Sequence, residues 1–123
     1  MHRLFLGWGF LLGGTGVASG AVMAHALGGR ISESSLQIFD TAARYHVIHG
    51  IALVLLGFAA ERWPIRAWNG PGLLMLIGTL FFSGSLYALA LTSIAWFGAV
   101  TPVGGTMLIA AWTWAGWIAF SKT

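Results

Sequence analysis

Three stretches of the chain lack Lys, Arg, Asp and Glu altogether, and they set its organisation. Leu4–Gly29 is 26 residues with His25 as its one ionisable side chain. Tyr45–Ala60 is 16 residues interrupted by His46 and His49, and Ala67–Ser121 is 55 residues. A hydrocarbon core about 30 Å thick takes about 20 apolar residues as helix. The first stretch therefore predicts one span and the last predicts two. The last divides at Gly98 and the run Thr101-Pro102-Val103-Gly104-Gly105, since Pro and Gly are the strongest local breakers. The middle stretch would rise only about 24 Å as a helix. It is lengthened by what precedes it. Ser32 is a suitable N-cap and Glu33 suits a first turn. Leu36, Phe39 and Ala43 then recur at helical spacing, so one helix is expected from about Glu33 to Ala60.

The pattern predicts an all-α integral membrane four-helix bundle, a single transmembrane domain over 1–123, with spans at about 4–27, 37–60, 72–93 and 103–121. In hydrocarbon every backbone polar group must be paired internally, which favours helices. No alternating pattern of strand length suggests a barrel. The first span, preceded by Met1-His2-Arg3, resembles a signal peptide in outline, but its apolar run exceeds the usual length. It is expected to be retained.

Composition removes the main alternatives. Only nine of 123 residues are Lys, Arg, Asp or Glu, and 58% are hydrophobic. That is too few charges to coat a soluble domain, which excludes a soluble enzyme or nucleic-acid binder. The formal charge of +3 rests on six scattered basic residues. It reads as a topology signal. Arg3, Arg62, Arg66 and Lys122 fall on one side of the four spans, Arg30 and Arg44 on the other. Both termini are therefore expected in the cytoplasm. Trp8, Trp63, Trp68 and Trp117 lie near span ends on that side, as an aromatic belt would. Trp112 and Trp114 lie deeper, where they would face lipid or a partner. There is no Cys, so disulfides and thiolate chemistry are absent.

Small residues mark close helix approaches in membranes. Gly9 and Gly13, then Gly16 and Gly20, are each four apart in the first span. Gly50 and Gly57 share a face of the second, and Gly84 stands with Ala88 in the third. Tight packing of this kind leaves little room for an aqueous pore.

Ionisable residues within spans are the natural candidates for a functional site. His25 ends the first span. Asp40, Arg44, Tyr45, His46 and His49 crowd the second, and Ser83, Ser85 and Tyr87 lie toward the end of the third. His46 and His49 share a helix face. With His25 they could surround a metal ion, although two His at this spacing are a weak motif. The simpler reading is that each imidazole hydrogen-bonds a Ser, a Tyr or a carbonyl and closes a helix contact. Asp40 and Arg44 are spaced as an intrahelical ion pair. No phosphate loop or dinucleotide motif is present, no fixed Ser-His-Asp geometry is implied, and no cofactor is expected.

These polar residues also carry a family likeness. Ala24-His25-Ala26-Leu27, the run Phe39 to His49, Phe82-Ser83-Gly84-Ser85-Leu86-Tyr87 and Thr101-Pro102-Val103-Gly104-Gly105 resemble the YgdD-like family. It is also labelled domain of unknown function family 423, and it has a small eukaryotic transmembrane relative. The likeness covers nearly the whole chain, in order and spacing, without a clear departure. It implies a small multi-spanning protein of the bacterial inner membrane and no established activity. His25, Arg44, Tyr45, His46, His49, Ser83, Ser85 and Tyr87 are the positions the resemblance implies as signature. Three functions follow for test. One is a non-catalytic protein, an accessory subunit of a larger membrane complex or a self-associating one. Another is a site for a metal, lipid or quinone at the outer interface. The weakest is a transporter, since no span carries a midplane charge.

Overall fold

A computed structural model describes residues 1–64 and 66–122, with Lys122 described by its backbone alone. Four α-helices account for nearly all of them: α1 His2–Val22, α2 Glu33–Arg62, α3 Asn69–Thr92 and α4 Ala95–Lys122. All four are long and apolar enough to cross a membrane, α1 together with a π-helical turn at Met23–Leu27 and α3 together with a 3₁₀ turn at Arg66–Trp68. No strand occurs among the described residues. Hydroxyls inside the helices bond back to carbonyls one turn earlier, as Thr41 to Gln37 and Thr113 to Ile109. That satisfies a polar group without needing water.

The start of α2 follows its sequence. The Ser35 N–H donates to Ser32 Oγ at 3.1 Å, and Glu33 occupies the first turn. One continuous 30-residue helix results.

The junction of the last two helices departs from the expected boundary near residues 94–102. The chain turns at Ser93–Ile94, and α4 begins at Ala95 instead of 103. Ser93 takes a left-handed conformation with φ 57°, and its N–H donates to the Leu89 carbonyl at 2.8 Å. Pro102 lies inside α4. Its ring removes one backbone donor near the start of the helix, a loss membrane helices tolerate when neighbours pack closely. Gly104 supplies that packing: a Cβ there would collide with the Phe82 backbone. The Pro-Gly run is a close-contact surface between α3 and α4, not a loop.

Packing is ordered along the chain. α1 lies on α2, α4 lies on α3, and the two hairpins meet across α2 and α3. The central helices accordingly bury 44% and 39% of their most apolar windows, against 11% for α1 and 22% for α4. Clefts remain between α1 and α3 on one face and between α2 and α4 on the other.

The glycines fall into two groups. A Cβ on Gly50 would stand 2.6 Å from the Gly13 nitrogen, one on Gly9 would stand 2.6 Å from Val54, and one on Gly16 would stand 2.6 Å from Val47. Gly57 meets Leu6 in the same way. These positions let α1 and α2 touch backbone to backbone. Gly20 and Gly84 face open space, so close approach does not explain them. Gly72 under Phe5 and Gly78 under Met107 and Leu108 are the contacts of α3 instead.

Candidate functional site

His46 and His49 stand near the middle of α2 and point to opposite faces of the central helix pair. His46 reaches toward α1 and α3. Its Nε2 lies 2.9 Å from Thr15 Oγ1, and its Nδ1 lies 2.8 Å from the Tyr87 hydroxyl. Thr15 donates its own proton to the Leu11 carbonyl at 2.7 Å. His46 Nε2–H therefore donates to Thr15, and Nδ1 accepts from Tyr87. His49 reaches toward α4. Its Nδ1 lies 2.7 Å from the Tyr45 carbonyl, which can only accept. Its Nε2 receives the indole N–H of Trp112 at 3.0 Å, and that group can only donate. Two histidines three residues apart are thus held as opposite tautomers by their partners.

The other polar residues close the same frame. The Ser83 hydroxyl donates to the Ala42 carbonyl at 2.9 Å, tying α3 to α2. Ser85 Oγ and Thr101 Oγ1 are 2.6 Å apart, tying α3 to α4. Tyr87 packs edge-on against Phe39 with ring centroids 4.8 Å apart. Tyr45 stacks on His49 and leans on Phe82.

The structure does not gather every residue that the sequence singled out. Arg44 and Asp40 form an ion pair at 2.8 Å, and the Arg44 side chain is 73% exposed. His25 is exposed in the π-helical turn. Among the described residues, no three His, Cys, Asp or Glu side chains come together to hold a metal ion. All four ring nitrogens of His46 and His49 have hydrogen-bond partners within the bundle. Two of those partners, Thr15 and Trp112, lie outside the expected cluster. Thr15 gave no signal beyond being a hydroxyl within an apolar span. Trp112 was expected to face lipid or a partner, and its indole nitrogen faces His49. Trp68 also departs from expectation: it is buried in the core, not placed in an interfacial belt.

A cleft of about 310 Å³ runs between α1 and α3, bordered by Trp8, Leu12, Thr15, His46, Leu80 and Tyr87. Its surface is almost entirely carbon, because the polar atoms behind it face one another.

The family model described as a protein of unknown function, DUF423, matches residues 19–105, a span that includes His25, the α2 cluster and the Pro-Gly run of α4. The chain is 40% identical over 110 residues to the UPF0382 membrane protein SH2409 of Staphylococcus haemolyticus, covering 89% of each. It is 40% identical over 97 residues to the UPF0382 membrane protein YwdK of Bacillus subtilis, covering 78% of this chain and 79% of that one. The UPF0382 membrane protein SAUSA300_0565 of Staphylococcus aureus is 41% identical over 110 residues, covering 89% of each. No solved structure matches. With four helices able to span a membrane and bacterial membrane proteins as its relatives, the chain belongs to the DUF423 family.

Proposed function

We propose that this chain is a non-catalytic inner-membrane protein that acts as an accessory subunit of a larger membrane complex, with both termini in the cytoplasm. One observation carries the reading. His46, His49, Ser83, Ser85 and Tyr87 all direct hydrogen bonds into the bundle, and both nitrogens of each imidazole are engaged there, which leaves neither histidine a free nitrogen for substrate chemistry. What the protein offers outward is apolar and aromatic: Phe10, Leu11 and Val17 on α1, and Trp96, Ile109, Trp117 and Phe120 on α4. Aromatic side chains are enriched at protein interfaces. The orientation rests on the four-against-two distribution of basic residues.

Gentle extraction from native membranes followed by native mass spectrometry tests this. The expected result is a 13.1 kDa chain in fixed stoichiometry with larger subunits. A chain that emerges alone or only with copies of itself overturns it.

The α1–α3 cleft favours a second reading, in which a lipid or quinone binds beside His46 and Tyr87. A bound small molecule that is lost in a folded His46→Ala variant would support it. An unfolded variant would assign His46 to structure alone.

A further inference from the structure

One end of the bundle brings together the start of α1, the end of α2 and the turn into α3. Between them lies a pocket of about 200 Å³, lined by Met1, His2, Ala60, Pro64, Arg66 and Asn69. It differs in kind from the clefts along the helices. Their walls are almost entirely carbon, whereas His2, Arg66 and Asn69 all bring polar side chains to this one.

All three side chains can donate hydrogen bonds, and the Arg66 guanidinium carries a full charge. Among the described residues, none of the three has a side-chain hydrogen bond or an ion pair. No carboxylate lines the pocket, and neither α1 nor α3 has an acidic residue in its first turn. Glu61 follows Ala60 on α2, but it is exposed and lies outside the lining. Arg3 and Arg62 stand at the same end, so the pocket sits in positive surroundings. Trp63, next to Pro64, is 41% exposed, with the Arg62 guanidinium 5.5 Å from its ring centroid. An exposed Trp with a neighbouring Arg at the end of an apolar helix marks the level of the lipid headgroups. The anions that surround a protein at that level are lipid phosphates.

We propose that this pocket binds the phosphate of an anionic glycerophospholipid. Arg66 supplies the charge and a planar fork of N–H donors that suits phosphate. Asn69 and His2 donate to the remaining oxygens. The pocket takes only the phosphate and its ester oxygens, and the acyl chains stay in the bilayer. Leu4 and Trp8, exposed further along α1, offer those chains apolar surface. A soluble phosphate ester presents the same chemistry, and the test separates the two sources. The pocket shares no lining residue with the α1–α3 cleft, so it stands whether or not that cleft binds anything.

The test uses the full chain in mild detergent, with phosphatidylglycerol or phosphatidylcholine added and retained mass read by native mass spectrometry. Wild type is expected to retain one phosphatidylglycerol in preference to phosphatidylcholine. Arg66→Gln should weaken that retention roughly tenfold, the worth of one charged hydrogen-bonding contact, and remove the preference. Asn69→Ala should weaken it roughly threefold, as the loss of one neutral hydrogen bond does. Arg62→Gln makes the same change in charge at the same end, but Arg62 does not line the pocket and lies over Trp63. Its retention should stay within about twofold of wild type. Equal losses in Arg62→Gln and Arg66→Gln overturn the pocket in favour of diffuse surface charge. Wild-type retention in both Arg66→Gln and Asn69→Ala overturns it outright, and equal retention of the two lipids by wild type overturns the preference for an anion. Displacement of the lipid by an equal concentration of glycerol 3-phosphate overturns the lipid as the source and assigns the site to a soluble phosphate ester. If Arg66→Gln does not fold, Asn69→Ala against Arg62→Gln decides.

Discussion

The indole N–H of Trp112 donates to His49 Nε2 at 3.0 Å, and this bond spans the groove between α4 and α2. Its partner is fixed on the other side as well, because His49 Nδ1–H is held by the Tyr45 carbonyl at 2.7 Å. The ring cannot turn to present its other nitrogen without breaking that bond. Trp112→Phe keeps most of the ring contact, with centroids now 5.9 Å apart, and leaves His49 Nε2 without a donor. The expected cost is about 1 kcal/mol, in the range measured for interhelical hydrogen bonds in membranes. Equilibrium unfolding in mixed micelles checks it. Trp112→Phe combined with His49→Leu should lose less than the sum of the two single changes, since the second removes the acceptor that the first orphans.

The α1–α2 contact rests on backbone proximity, so adding one methyl group tests it directly. Gly50→Ala places a carbon 2.6 Å from the Gly13 nitrogen, and backbone cannot step aside as a flexible side chain can. The expected loss is about 1–3 kcal/mol, the usual cost of overpacking. Gly20→Ala and Gly84→Ala meet nothing within 4 Å and should be neutral or slightly stabilising through helix propensity. The same unfolding assay applied to all three variants checks the contrast. Equal effects would show that the contact does not depend on the glycine.

Much of this fold was legible because the bilayer leaves few alternatives. Charge-free length fixed the number of helices, and Ser32 with Glu33 marked where α2 starts. The α3–α4 boundary was not legible from composition. A Pro-Gly run reads as a break in water, where freed backbone groups and chain entropy favour a loop. Between packed helices, Gly104 serves close approach to Phe82 and Pro102 is accommodated. The glycine spacing in α1 indicated a face but not its extent, since Gly16 meets Val47 while Gly20, one turn on, meets nothing. At the candidate site the type of residue was readable and the partner was not. Nothing in the spacing of His46 and His49 shows that one ring turns to Thr15 and the other to Trp112. Partner choice depends on how the hairpins lie against each other.

The two tautomers make different histidines matter in different ways. His46→Ala strips both Thr15 and Tyr87 of a partner at once. The expected destabilisation is about 1–3 kcal/mol. Tyr87→Phe, which takes the donor from His46 Nδ1 but keeps the His46–Thr15 bond, should cost about half as much. His25→Ala removes an exposed ring and should stay within about 0.5 kcal/mol of wild type. Unfolding midpoints of the three variants, measured in one detergent, check the ranking. A His25→Ala variant as unstable as His46→Ala would mean that the π-helical turn holds a contact important to the bundle.

The turn between α3 and α4 offers the opposite sign. Ser93 is the one described non-glycine residue with positive φ, at 57°, and it closes α3 by donating its N–H to Leu89. An L side chain in the left-handed region is strained by about 1 kcal/mol relative to glycine. Among the described residues no side-chain hydrogen bond of Ser93 compensates, and the hydroxyl that caps this turn belongs to Thr92, which accepts from the Ile94 N–H at 3.3 Å. Ser93→Gly should therefore stabilise the protein by about 0.5–1 kcal/mol, the relief of strain being partly offset by the greater freedom of glycine in the unfolded chain. Ser93→Val should destabilise it, since a β-branched side chain suits this conformation worse than serine does. Thr92→Ala tests whether the hydroxyl or the backbone conformation governs the turn: with Ser93 unchanged, it should cost about 1 kcal/mol and leave the benefit of Ser93→Gly intact. The thermal midpoints of the three variants decide it, and loss of that benefit in the Thr92→Ala background would tie the strain to the cap.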